Sequence, residues 1–316
     1  MKAYDSSELF NYFRNSLFCP DVSGTHFPVV AITVDTLVSG VHFPEDTPVK
    51  WIAHKSLAVN LSDLASMGSR PAGFTIGLVL PGWDEAWLEN FGAGLQKLQS
   101  MWGLELLACD VCRGPLSVTI QAQGGLKPDE GLRRSGARPG DRIFVTGTLG
   151  DAACALPYYL DNKPLPERYH DFLQRRFHCP EPRVAAGLLL VGIASAAIDI
   201  SDGLAADLGH ILEESQIGAV LHIDKLPSSA AVKSLLNEEQ RRLCQLGGGD
   251  DYELCFTVPV ENISLLKERF VESGLKCTWV GEIVEGDSVG YRIKNSEVKM
   301  DIRSYDHFPV RAGLNT

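Results

Sequence analysis

Residues 196–211, Ala-Ala-Ile-Asp-Ile-Ser-Asp-Gly-Leu-Ala-Ala-Asp-Leu-Gly-His-Ile, constrain the fold most. Ala196 to Ile200 are apolar apart from Asp199, as at the end of a buried strand or helix. Gly203 then lets the backbone turn or be approached closely. Leu204, Leu208, Ile211 and Leu212 repeat at helical spacing. The chain must therefore pass from a buried element into a helix, with Asp199, Ser201 and Asp202 at the junction. Free N–H groups at a helix start favour anions. Two carboxylates ~4 Å apart repel by about 4 kcal/mol at an effective dielectric of ~20. A cation turns that cost into a binding site. The competing reading makes Ser201 or Asp202 an N-cap, which leaves Asp199 unexplained.

The 316 residues suggest two domains more readily than one. A formal net charge of -11 argues against a nucleic-acid surface and suits a protein that collects divalent cations. The longest apolar run, Val184 to Ile198, is too short and too rich in Gly, Ala and Ser to span a bilayer; it reads as a buried helix over 182–195. The N-terminus does not resemble a signal peptide. The eight cysteines are accordingly expected as reduced thiols in a cytoplasm.

In chain order, the spacing predicts helices at 5–18, 50–67, 84–101, 151–160, 166–177, 182–195, 228–237 and 261–273. Strands are expected at 29–34, 74–80, 104–108, 116–123, 142–146, 219–223 and 252–258, with short strands from 277 to about 302. Cys109 to Gly114 and Gly247 to Asp251 read as loops. The Gly, Pro and Arg content of 125–140 places a domain boundary there. The alternation predicts an α+β chain of two α/β-layered domains, 1–138 and 139–316, each sheet covered by helices on one face.

An Asp recurs at the end of an apolar strand or on an inward helix face: Asp35, Asp63, Asp110, Asp199 and Asp202. Asn60 and Asp63 share a helix face, a poor place for both by propensity. Magnesium is usually held by a few carboxylates together with substrate phosphates, which points to phosphoryl transfer from a nucleotide. The G-x-x-x-x-G-K-[ST] loop and the protein-kinase signatures are both missing. Arg133 to Arg138 reads equally as a phosphate fork and as a solvated linker. Cys109-x-x-Cys112 has no second pair for zinc, and redox chemistry is the minor reading.

Together these stretches resemble the thiamine-monophosphate kinase family, in the superfamily of aminoimidazole ribonucleotide synthetase and selenophosphate synthetase. The carriers are Ala31 to Phe43, Ala58-Val-Asn-Leu-Ser-Asp-Leu-Ala65, Arg113 to Ser117, Arg134-Ser-Gly-Ala-Arg-Pro-Gly-Asp141, Ile198-Asp-Ile-Ser-Asp-Gly-Leu204, Asp251-Tyr-Glu-Leu254 and Tyr305-Asp-His-Phe308. The resemblance implies ATP- and magnesium-dependent phosphorylation of thiamine monophosphate by direct in-line transfer. Its setting is a cleft between the subunits of a homodimer, with the N-terminal domain carrying ATP and the dimer contact. It assigns Asp35, Asp63, Asp110, Asp199 and Asp202, helped by Thr33, to several magnesium ions, with Asp110, Asp199 and Asp202 catalytic. Asp110, Arg134 and Ser201 would touch ATP; His42, Asp250 and Tyr305 would face the thiamine end.

The chain departs from the family pattern in places. Phe18-Cys-Pro-Asp-Val22 replaces a Gly-x-Gly-Asp-Asp motif, leaving Asp21 as the candidate substitute. Ala108-Cys109-Asp110-Val111-Cys112 replaces Gly-Gly-Asp-Thr-Thr, Val34 stands where Thr is common, and Asp250 replaces a Glu. These departures motivate an alternative: an eroded homologue that binds nucleotide or thiamine phosphate without turnover.

Overall fold

A computed structural model of the chain describes residues 30–127, 130–294 and 296–302. The expected helix at 5–18, Asp21 and the Tyr305 motif lie outside the described residues.

Four strands form the first sheet: β1 (Val30–Val38), β2 (Arg70–Leu80), β3 (Glu105–Arg113) and β4 (Ser117–Gly125), in the order β1-β4-β2-β3. β1 alternates as a half-covered strand should: Ala31, Thr33 and Leu37 are buried, and Val30, Ile32 and Val34 are exposed. Its inner face rests on α1 (Val49–Ser66). α2 (Glu85–Trp102) connects β2 to its parallel neighbour β3. Asp84 caps α2 by accepting from Trp87 N at 3.0 Å, and Gly103 ends it at φ 65°.

The spacing of Leu57, Leu61 and Leu64 suggests one apolar face on α1, but every residue from Ile52 to Ser62 is buried. The reason is position. α1 also touches the second sheet and the helices around it, and a helix enclosed on all sides has no solvated face. Burying each of those leucines contributes on the order of 1.5–3 kcal/mol. The polar residues buried among them, Lys55, Ser56, Asn60 and Ser62, therefore need partners.

The second sheet runs β11-β10-β7-β9-β5-β8-β6. Its strands are β5 (Arg142–Thr146), β6 (Ala196–Asp199), β7 (Gly218–His222), β8 (Leu254–Val258), β9 (Cys277–Val284), β10 (Val289–Ile293) and β11 (Ser296–Val298). Around it lie α3 (Asp151–Leu160), α4 (His170–His178), α5 (Val184–Leu190), α6 (Leu204–Ser215), α7 (Ala230–Leu235), α8 (Glu238–Gly247) and α9 (Ile263–Glu272). Two sheets, each layered with helices, are the expected α+β architecture.

Three local expectations change. β3 continues to Arg113, so Cys109 to Arg113 are strand rather than loop. α5 stops at Leu190 instead of 195. α8 is a helix that the periodicity does not predict, although Asn237 and Gln240 form a reciprocal capping box that marks its start.

α4 brings His178 against α1, where it stacks on Trp51 with ring centroids 4.7 Å apart. Burial, and then the charge of Lys55, push His178 down to about 4 from its ordinary 6.5. Between those values the unfolded chain binds a proton that the folded chain refuses. Stability from neutral His178 is thus present above pH 6.5 and is lost as pH falls towards 4. His178→Phe keeps a ring and removes the titration. Relative to wild type, it should gain about 2 kcal/mol on going from pH 7 to pH 4.5, read from urea midpoints. Parallel acid responses in the two proteins would show that His178 does not act this way.

Candidate active site

Asp35 points from the helix-side face of β1 towards α1, not from the strand's end as expected. Two residues earlier, Thr33 Oγ1 donates to Asp63 Oδ2 on α1. Asn60, one turn before Asp63, spends its amide on Ser56 O at 3.0 Å. Burial, and then the charge of Asp63, raise Asp35 to about 7. Burial raises Asp63 as well, against the opposing pull of Thr33, Arg134 and Asp199.

Asp199 comes from the other sheet. It ends β6, accepts from Ser62 Oγ at 2.7 Å and is 5% exposed. Burial, and then Asp63, raise it well above the usual carboxylate range, with Asp207 and Asp35 adding to the effect. Asp35, Asp63 and Asp199 thus converge electrostatically from three elements. Among the described residues no three acidic, His or Cys side chains close into a metal cage.

The turn after β6 holds a residue that the motif reading passed over. Asp207 Oδ2 accepts from the backbone N–H groups of Ser201, Asp202 and Gly203 at 3.0, 3.1 and 3.1 Å. The N–H groups expected to await an anion are therefore taken by the chain's own carboxylate. Burial, and then Asp202, raise Asp207 to about 7. Gly203 sits at φ 112°, and a Cβ there would come within 2.9 Å of the Gly247 backbone. A side chain would be strained on both counts. The signal for Asp207 was its place one turn into an apolar helix face. Neither Ser201 nor Asp202 is the N-cap; that position is Gly203.

The 247–253 loop lies directly against this turn. Asp250 N donates to Ser201 O at 2.9 Å and Tyr252 N to Ile200 O at 2.8 Å. A Cβ on Gly249 would stand 2.2 Å from Ser201 O, so only glycine permits the approach. Asp250 and Tyr252 both take left-handed backbone, φ 67° and 49°. Beneath the loop, Asp151, Asp251 and Glu253 are buried with Arg176 and Arg183. Glu253 receives two bonds of 2.7 Å from Arg183 and one of 2.7 Å from Thr146. Burial alone would raise Glu253, but Arg183 and Arg176 hold it below its ordinary value.

Asp250 meets Lys55, whose Nζ lies 2.8 Å from Asp250 Oδ2. His42 sits nearby on the turn after β1. It accepts from Val38 N at Nδ1, 3.0 Å, and its carbonyl lies 3.4 Å from Lys55 Nζ. Sequence reasoning singled out neither Lys55, Ser62 nor Tyr252. For Lys55 the available signal was the only Lys or Arg between Ile52 and Ser66.

Asp110 stands apart. It lies on edge strand β3, separated from β1 by β4 and β2. Three strand spacings put it about 14 Å from Asp35's strand. All of β3 is exposed, Leu106, Leu107 and Val111 included. Cys109 and Cys112 are free and three apart on this strand, so alternation sends them to opposite faces. Burial, and then Asp110, raise the Cys109 thiol. Both features oppose the redox reading. The Arg133 to Arg138 loop is fastened to β6, since Ala197 N donates to Arg133 O at 2.9 Å. Arg134 is near enough to act on Asp63.

Comparison with known proteins adds names to this geometry. The AIR synthase related protein N-terminal domain family matches residues 25–125, and its C-terminal domain family matches 138–294. The chain is 43% identical to thiamine-monophosphate kinase of Salmonella typhimurium over 88% of its own length and 86% of the relative's. It is 42% identical to the Escherichia coli K12 enzyme of the same name, with the same coverage. The crystal structure of thiamine-monophosphate kinase from Stenotrophomonas maltophilia K279a superposes with a TM-score of 0.80 at 43% identity, covering 83% of this chain and 85% of that one. A structure of AaThiL complexed with AMPPCP and TMP gives a TM-score of 0.81 at 27% identity, covering 96% and 97%. Identity at this level across both domains, on two sheets of the matching fold, means that the chain belongs to the thiamine-monophosphate kinase family.

Proposed function

We propose that the chain transfers the γ-phosphoryl group of ATP onto the phosphate of thiamine monophosphate, giving thiamine diphosphate and ADP. The observation that carries this reading is the convergence of Asp35, Asp63 and Asp199 from β1, α1 and β6, in which the charge of Asp63 raises both Asp35 and Asp199. Carboxylate oxygens suit a hard divalent cation, and positive charge relieves their repulsion. Magnesium would be held by these three with Asp202, Asp110 and Thr33. A closed cage is not required, because phosphate oxygens complete such sites. When bound, the metal supplies charge neutralisation on the phosphates.

The chain's own residues do the rest. Arg134 and Ser201 hold ATP. His42, Asp250 and Tyr305 face the acceptor. An oxygen of the acceptor phosphate attacks the γ-phosphorus in line, the bond to the β-phosphate oxygen breaks, and ADP leaves with the electron pair. We assign ATP and metal binding mainly to residues 1–138, with Asp199, Ser201 and Asp202 contributed by 139–316, which also completes the acceptor site through Asp250. No helix among the described residues is long and apolar enough to cross a membrane, and we place this ATP-consuming enzyme in the cytoplasm. The test is incubation with ATP, magnesium and thiamine monophosphate. Thiamine diphosphate is the expected product; binding of thiamine monophosphate without product would instead favour a non-catalytic descendant.

We also infer a homodimer in which the partner supplies Asp110. The support is the exposed apolar row Val30, Ile32 and Val34, the exposed strand β3, and Asp110's distance from the other acids. Asp110→Asn and Asp199→Asn should each be inactive alone. Mixed after reversible dissociation, they should recover about a quarter of wild-type activity, because half the dimers are hybrids with one intact site of two. No recovery would place Asp110 in the same chain's site or outside the reaction.

A further inference from the structure

Lys55 is 2% exposed in the middle of α1. A buried ammonium is costly unless its three N–H groups are met. Here Asp250 Oδ2 lies at 2.8 Å, the His42 carbonyl at 3.4 Å, and the Phe177 ring centroid at 4.8 Å. Asp250 is held from its other side by Tyr252 Oη, which donates to Oδ1 at 2.9 Å. Its side chain stays 34% exposed. The carboxylate is therefore fixed in direction yet reachable from the site. His42 and Asp250 belong to segments far apart in the chain, one after β1 and one before β8. The Lys55 ammonium touches both.

We propose that Lys55 is a positioning residue for the acceptor: from the central helix it sets the Asp250 carboxylate and the His42 turn at the spacing that the thiamine end requires. Lys55 does not itself touch the acceptor; it acts through Asp250. This rests on the reading that Asp250 faces thiamine monophosphate. Two features make a general structural role a poorer account. Packing alone would be met by Met or Leu at this position, and a salt bridge for stability alone would not need Asp250 clamped by Tyr252 on left-handed backbone.

The experiment is titration calorimetry of the full chain with thiamine monophosphate and, separately, with a non-hydrolysable ATP analogue and magnesium. Lys55→Met should weaken thiamine monophosphate at least about tenfold and leave the ATP analogue within about twofold. Asp250→Asn should behave alike, and the double variant should be no weaker than Asp250→Asn alone, because one residue works through the other. If Lys55→Met does not fold, Lys55→Gln, which keeps a donor, is titrated instead, with the same selective loss expected. Equal loss of both ligands, no loss of either, or losses that add in the double variant would overturn the proposal. In those cases wild-type binding of thiamine monophosphate leaves the kinase reading standing. A wild type that binds the ATP analogue but not thiamine monophosphate removes both.

Discussion

Asp199→Asn is expected to lower turnover by at least about 10³-fold while leaving the chain folded and, without metal, more stable than wild type. The two effects have one cause. Asp199 is buried beside Asp63 and within reach of Asp35 and Asp207, and its charge is opposed by all three. Asn keeps an oxygen for the Ser62 hydroxyl, which donates to Asp199 Oδ2 at 2.7 Å, and removes the repulsion. On the proposed reading the variant therefore loses a cation ligand, and it gains a quieter interior. Melting temperatures measured with and without magnesium, beside thiamine diphosphate formation, check both halves. The metal-free variant should melt higher than wild type and should gain less from magnesium. Wild-type turnover in this variant would remove Asp199 from the mechanism. Lost turnover with a lowered, metal-insensitive melting temperature would make Asp199 a structural residue.

Arg176→Met carries the largest expected loss of stability, about 3–5 kcal/mol. The guanidinium reaches Asp151 Oδ2 at 3.1 Å, Glu253 Oε1 at 3.1 Å and the Thr148 carbonyl at 3.0 Å, with Asp251 Oδ1 at 3.8 Å. Each of those three acids has a fully buried side chain. Arg183 still serves Glu253 in the variant, but Asp151 and Asp251 lose the cation that makes their burial tolerable. Asp251 is the weak member: burial raises it even with Arg176 present, and its other oxygen is engaged by Gly150 N at 2.7 Å. Adding Asp251→Asn to Arg176→Met should accordingly recover part of the loss. Urea unfolding of the single and double variants measures this, and a wild-type midpoint for Arg176→Met would show that the network contributes nothing to stability. Because the 247–253 loop rests on this network, acceptor binding should weaken along with the fold.

Much of this is legible from the chain alone because it depends on local pattern. The alternation of β1, the inward face of α2 and the turn from β6 into α6 are encoded in neighbouring residues, and periodicity exposes them. The acids are legible for a related reason. A carboxylate inside an apolar run has no local use, so Asp35, Asp63 and Asp199 stand out whatever surrounds them in the fold. Gly203 likewise announces a turn.

Tertiary structure decided what those acids face. No pattern in the 58–65 segment says that Asp63 lies against β1 and near β6 at once; that follows from α1 being enclosed by both sheets. Asp207 stands on the apolar face of its helix in sequence, but only the folded backbone gives it the three N–H groups it accepts from. Lys55 and Asp250 lie too far apart in the chain for any periodicity to pair them. Asp110 carries the same motif signal as the others, yet the strand order sets it at the sheet's far edge. Sequence determines which residues are out of place in a local pattern, because local pattern is set by neighbours. Which of them meet is set by the packing of elements distant in the chain, and only the folded arrangement decides that.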